Sequence, residues 1–284
     1  MEAATPSLDR RSLVLSGAAA LVASAARADA PGLALDGKYL QSGFAFGRTA
    51  PRAMLSVDGV SVGQASKNGL FVIGFDRDSP PSARLDVSGA GGDSQQTLAI
   101  AARDYDIQRI DGLPNDQVEP SDPALLARIK AEAERKAAGF ASNIDADEFR
   151  DGFVMPVEGA RLSARFGGQR ILNGVPSRPH YGSDLAAPIG TPVRAPAGGF
   201  VSFAESNLHF DGALVMIDHG QGLISCYLHL SRVDAVKGQW IKRGEMVGAV
   251  GMEGRATGPH LCWRMKWRGR NLDPMLMVGR RAPV

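Results

Sequence analysis

Cysteine is scarce in this chain: two, Cys226 and Cys262, occur in 284 residues. At most one internal disulfide can form, which excludes a scaffold stapled by several bridges. An excess of charge of one sign is missing too. Lys and Arg total 32 against 30 Asp and Glu, a formal net charge of +2, which gives no reason to expect a nucleic-acid partner, because phosphate binding needs a concentrated basic face. The densest basic run, Arg264, Lys266, Arg268 and Arg270, reads as the solvated face of an edge strand and its turn. No apolar run reaches the ~20 residues of a spanning helix. Neither a solenoid-length repeat nor a low-complexity tract stands outside the N-terminal segment. What remains is a globular chain long enough for one large domain or two modest ones.

The N-terminus carries an address. "SLDRRSLVLSGAAALVASAARADA" has a basic start, a short apolar stretch and a small-residue exit at Ala26-Arg27-Ala28, so residues 1–28 read as a signal peptide cut after Ala28. Arg10-Arg11 followed by Ser12-Leu13 resembles a twin-arginine signal. The expected location is the periplasm, an oxidising compartment, with no integral membrane segment after cleavage.

Residues 31–112 alternate with a period of two in "AMLSVDGVSVG", "KNGLFVIGF", "ARLDV" and "TLAIAARDYDIQRI". This predicts a β-sandwich-like N-terminal domain, with Asn68-Gly69 as a hairpin signal. Over 113–150 the period changes: Leu126, Ile129, Ala133, Ala137 and Phe140 form one helical stripe, with Asp122 as N-cap and Pro123 at the first helical position. An amphipathic helical linker is expected there. Residues 151–284 are Gly-rich and strand-like again, with a Gly-Gln-Gly turn at 220 to 222 and no useful helical period. The fold class is therefore mostly β, with an antiparallel C-terminal sheet.

Chemistry concentrates in this last part. "HYGSD" sets His180 and Asp184 four apart, "YLHLS" puts His229 in a strand, and "GPHLCW" puts His260 and Cys262 on one face of a strand. A hydrolytic zinc site needs three protein ligands and an open position for water, and His180, Asp184 and Cys262 can supply that set. His219 reads as a turn residue and His209 has no partner spacing. "RMKW" has the Met-Lys of a biotin-attachment sequence, but Lys266 falls inside a predicted strand and reads as a surface lysine.

The segments "RPHYGSDLAAPIGTPVRAPAGG", "GLISCYLHLS", "VKGQWIKRGEMVGAVGMEGRATGPHLCWRM" and "LDP" follow in order. Over residues 153 to about 275 they resemble the lysostaphin-type, or LytM-like, zinc metallopeptidases that cut peptide bonds in peptidoglycan. "YDIQRIDGLP" and "FGGQRILNG" further resemble exported Gram-negative members with a β-rich N-terminal domain. The resemblance implies one Zn²⁺ per chain, held by His180, Asp184 and Cys262. It also implies catalytic roles for His229 and His260, which divide between them the handling of the attacking water and of the oxyanion or leaving nitrogen. The implied activity is a periplasmic endopeptidase acting on peptidoglycan peptide cross-links; the alternative is a weak or inactive module that binds peptidoglycan or regulates another wall hydrolase. No regulatory partner is legible.

Cys262 departs from the family, which usually has histidine at that ligand position. As a thiolate it binds zinc but makes the metal a poorer Lewis acid. Two other readings stay open: a disulfide to Cys226, which in a regular strand points away from the face of His229, and an inert thiol in a site without metal. Nothing beyond the nearby histidines supports a nucleophilic cysteine. Export in the folded state is expected to let zinc reach Cys262 before oxidation does. The N-terminal β-domain is expected to position or cover the groove.

Overall fold

The computed structural model describes residues 32–284; the expected signal peptide lies outside the described residues. Two antiparallel sheets form first. One orders Ala34–Lys38, Phe44–Arg48 and Leu70–Gly74; the other orders Val60–Gln64, Met54–Val57, Ser82–Ser88 and Ser94–Ala99. Alternation does its work in Ser82–Ser88, where Ala83, Leu85 and Val87 are buried between more exposed polar neighbours. Asn68-Gly69 turns the chain but joins strands of different sheets. The tight hairpin lies instead at Asp58-Gly59, between the paired Val57 and Val60. There φ is +53° and +78°, the doubly left-handed turn whose twist matches the flanking strands.

The helix Pro123–Phe140 starts as expected: Asp122 accepts a hydrogen bond from the Leu125 N–H at 2.9 Å, and Pro123 occupies the first turn. Its inward face differs. Leu126 is 46% exposed, and the buried positions are Glu132 and Gly139. The helix is rotated from the predicted apolar stripe because its inner side carries ion pairs. Glu132 receives Arg128 at 2.8 Å and the His209 N–H at 2.9 Å, and Lys136 binds Asp211. Gly139 lets the helix lie close on the sheet, since a Cβ there would fall 2.9 Å from Phe203 Cβ.

The main sheet is antiparallel and ordered Trp240–Ile241, Gly199–Leu208, Gly212–Asp218, Leu223–Leu230, His260–Trp267, Ser183–Ala186 and Arg161–Ala164, with Arg270–Leu272 also on His260–Trp267. His260–Trp267 is thus an interior strand. The expected solvated edge is corrected: the strand is covered on both sides, and Arg264 turns toward a cleft.

The two β regions are joined in two ways. Ile107–Ile110, at the end of the predicted N-terminal domain, pairs in parallel with Gln169–Leu172 of the second region. One apolar core also runs from Phe44, Phe46 and Phe71 through Phe149 to Trp263 and Trp267, with Phe46 and Phe149 stacked at 5.4 Å. Among the described residues no helix is long and apolar enough to cross a membrane.

Candidate active site

Sheet register assembles the site. Asp184 and Cys262 are directly opposed across two strands, so their side chains share a face. His260 lies on that face two residues before Cys262. His180 enters from the preceding loop: its Nε2 is 3.1 Å from Asp184 Oδ1 and 3.3 Å from Cys262 Sγ. One ligand atom from each of these three buried residues falls within 4.8 Å of the others.

The set fits a metal ion on chemical grounds. A neutral imidazole, a carboxylate and a thiolate are all zinc donors, and the buried Asp184 Oδ1, although 3.1 Å from His180 Nε2, is not in a well-aligned hydrogen bond. Burial pulls His180 down to about 4, favouring the neutral form that ligates. Burial opposes ionisation of Asp184, but His180, His260 and Arg170 together hold it below the ordinary carboxylate range. Burial, then Asp184, pushes the Cys262 thiol up to about 12, so the thiolate needs a cation beside it. Gly182 makes room for the sulfur: a Cβ there would lie 2.7 Å from Cys262 Sγ and 2.9 Å from Arg264 Cγ.

His229 reaches the site through a bulge. Two residues, Leu228 and His229, oppose Leu214 alone in the neighbouring strand, and His229 has φ +64°. The bulge reverses the parity expected of a regular strand, so Cys226 and His229 line the same cavity. Both cysteines are free thiols. The His229 and His260 rings lie 4.9 Å apart. His229 Nδ1 bonds the Glu253 carbonyl at 2.7 Å, and His260 Nδ1 bonds the Gly258 carbonyl at 2.7 Å. A carbonyl only accepts, so both Nδ1 atoms carry hydrogen, and in the neutral form of either ring the lone pair is then on Nε2. Burial, then His260, draws His229 down to about 3, keeping it neutral near pH 7.

The other histidines lie apart. His219 stands at a turn, as expected, but is fully buried, with Nδ1 donating to the Gly198 carbonyl at 2.5 Å and Nε2 accepting from Ser225 Oγ at 2.7 Å. His209 bonds the Asp116 carbonyl at 2.9 Å. Sequence reasoning did not single out Arg170, Arg255 and Asp211. Arg170 and Arg255 sit in quoted segments, but no local spacing marks them as converging.

A cavity of ≈ 560 Å³ opens beside Asp184 and His260, with Arg109, Leu113, Arg161 and Thr257 among its walls. Residues 178–274 match Peptidase family M23. A crystal structure from Pseudomonas aeruginosa described as a peptidase M23 shares 30% identity with this chain, covers 85% of it and 96% of the other, and has a TM-score of 0.66. The chain belongs to peptidase family M23. The peptidoglycan DD-endopeptidase ShyA of Vibrio cholerae is 42% identical over 117 residues, 40% of this chain and 27% of that protein. The DD-carboxypeptidase/endopeptidase Mpg of Neisseria gonorrhoeae is 39% identical over 124 residues, 43% of this chain and 28% of that protein. The matches thus span less than a third of either relative's length.

Proposed function

We propose that this M23 chain is a periplasmic zinc-dependent endopeptidase that hydrolyses peptide cross-links of peptidoglycan. The observation carrying the reading is the convergence of His180 Nε2, Asp184 Oδ1 and Cys262 Sγ beside two histidines whose Nδ1 atoms are both bonded to main-chain carbonyls. His180, Asp184 and Cys262 would hold the zinc ion, which would supply Lewis acidity toward a carbonyl and lower the pKa of a bound water. His260, 3.7 Å from Asp184 Oδ1 through its Nε2, is placed to take the proton of the attacking water. His229, across the ring contact, is placed to serve the oxyanion or the departing nitrogen once protonated. Their Nδ1 bonds to main-chain carbonyls hold both rings in one orientation, which general acid-base transfer needs. The strand Ile107–Ile110 and Leu113 wall the groove, which supports a substrate-positioning role for the region before the helix.

Elemental analysis of the mature protein tests the metal, with about one zinc per chain and a Cys262 thiol protected until chelation as the expected result. Digestion of isolated cross-linked sacculi tests the activity. His229→Ala and His260→Ala should each lower the rate by roughly 10²–10⁴-fold. Cys262 favours a second reading, because a thiolate weakens the metal as a Lewis acid. Zinc binding without cleavage, restored by Cys262→His, would assign the protein to a binding or regulatory module.

A further inference from the structure

A second cavity of ≈ 350 Å³ lies on the His229 side of the site. Its lining is one-sided in charge. Lys136, Arg170, Arg178, Arg255, Arg264 and Lys266 face a single lining carboxylate, Asp211. Asp211 is already engaged, bound by Lys136 and 4.0 Å from Arg264 Nη1. Arg255 spends its Nη1 on the neutral Gln117 carbonyl at 2.9 Å. Arg170 reaches only the edge of Asp184, at 4.0 Å. The Nε atoms of Arg170 and Arg264 are buried without a hydrogen-bond partner. Burial first, then the neighbouring Arg170 and Arg264, draws Arg255 down to about 10.

Loading the metal does not relieve this excess. A zinc ion with the Asp184 carboxylate and a Cys262 thiolate is neutral as a unit, so the cations beside it stay uncompensated. Converging guanidinium groups with unspent N–H donors match a planar carboxylate, which accepts two parallel hydrogen bonds. Arg170 and Arg255 line this cavity and also the one beside Asp184 and His260, so an anion held here lies beside the candidate metal site.

We propose that this cavity is a subsite for a free carboxylate of the stem peptide, clamped by Arg170, Arg255 and Arg264, and that it selects unamidated peptidoglycan over amidated. The inference rests on the peptidoglycan-peptidase reading of the neighbouring site. Stem peptides carry free carboxylates on their acidic residues and at the terminal alanine, and amidation removes the charge with little change of shape.

Calorimetric binding of uncross-linked stem tetrapeptides to the full zinc-loaded protein tests it, since these peptides contain no scissile cross-link. Amidation of the free carboxylates should weaken binding at least tenfold. Arg255→Gln should weaken the acid form to a similar extent and leave the amide form unchanged. Arg170→Lys, which keeps the charge but removes the two-pronged donor, provides a second variant should Arg255→Gln fail to fold, and it should likewise weaken the acid form and spare the amide form. Equal affinities for acid and amide forms would overturn the subsite. Cleavage of cross-linked dimers, measured in parallel, reports on the enzyme reading alone: no cleavage with a retained acid preference sinks that reading and keeps the subsite.

Discussion

Cys262 shows how one residue acquires a role from its opposite number. Its partner across the sheet is Asp184, and the space for its sulfur exists because residue 182 has no side chain. Gly182→Ala should therefore displace the thiol and weaken zinc binding by roughly 10- to 100-fold, the range for residues that orient metal ligands. Competition with a chelator of known affinity measures this, and unchanged zinc retention would contradict the packing argument. His219 offers a separate test by pH. Burial draws it down to about 4 from an ordinary value of 6.5, so between those values the unfolded chain takes a proton that the folded chain refuses. Its stabilising contribution is complete above pH 6.5 and is lost as pH falls toward 4, at up to about 1.4 kcal/mol per pH unit. Because Nε2 must accept from Ser225, Ser225 accepts in turn from Tyr227. His219→Gln should flatten the acid side of a denaturant-stability profile by up to one proton, and an unaltered slope would count against the assignment.

At the scale of elements, the bulge in Leu223–Leu230 is the decisive departure from regular geometry. Without it, parity alone turns His229 away from the face shared by Cys226 and Cys262. No residue in "YLHLS" announces the bulge; the Asp211 carbonyl that accepts the His229 N–H at 2.9 Å comes from the neighbouring hairpin. The helix Pro123–Phe140 divides differently. Its start is local chemistry, so Asp122→Ala should cost about 1 kcal/mol of stability, checked by urea denaturation. Its rotation is tertiary, since Glu132 and Lys136 face inward to partners in the sheet region.

Across the whole molecule, the two β regions share apolar contacts and a parallel strand pair. Heat should therefore unfold residues 32–284 in one transition, with equal calorimetric and van't Hoff enthalpies. A chain beginning at Phe153 loses the parallel partner of Gln169–Leu172 and uncovers Trp267 and Leu272, which meet Gly74 across the junction. It should melt at lower temperature and aggregate, and a melting point equal to that of the full protein would argue for two independent domains.

By itself the sequence determined the mostly β class, the helix start, and the spacings that pointed to His180, Asp184, His229, His260 and Cys262, because period, capping and short motifs are local properties of a chain. Only the tertiary structure decided the cross-strand pairing of Asp184 with Cys262, the inward turn of His229 and the basic cavity. Arg170, Arg255 and Arg264 are brought together by loops and strands far apart in sequence, and the charge excess they create exists only where those segments meet.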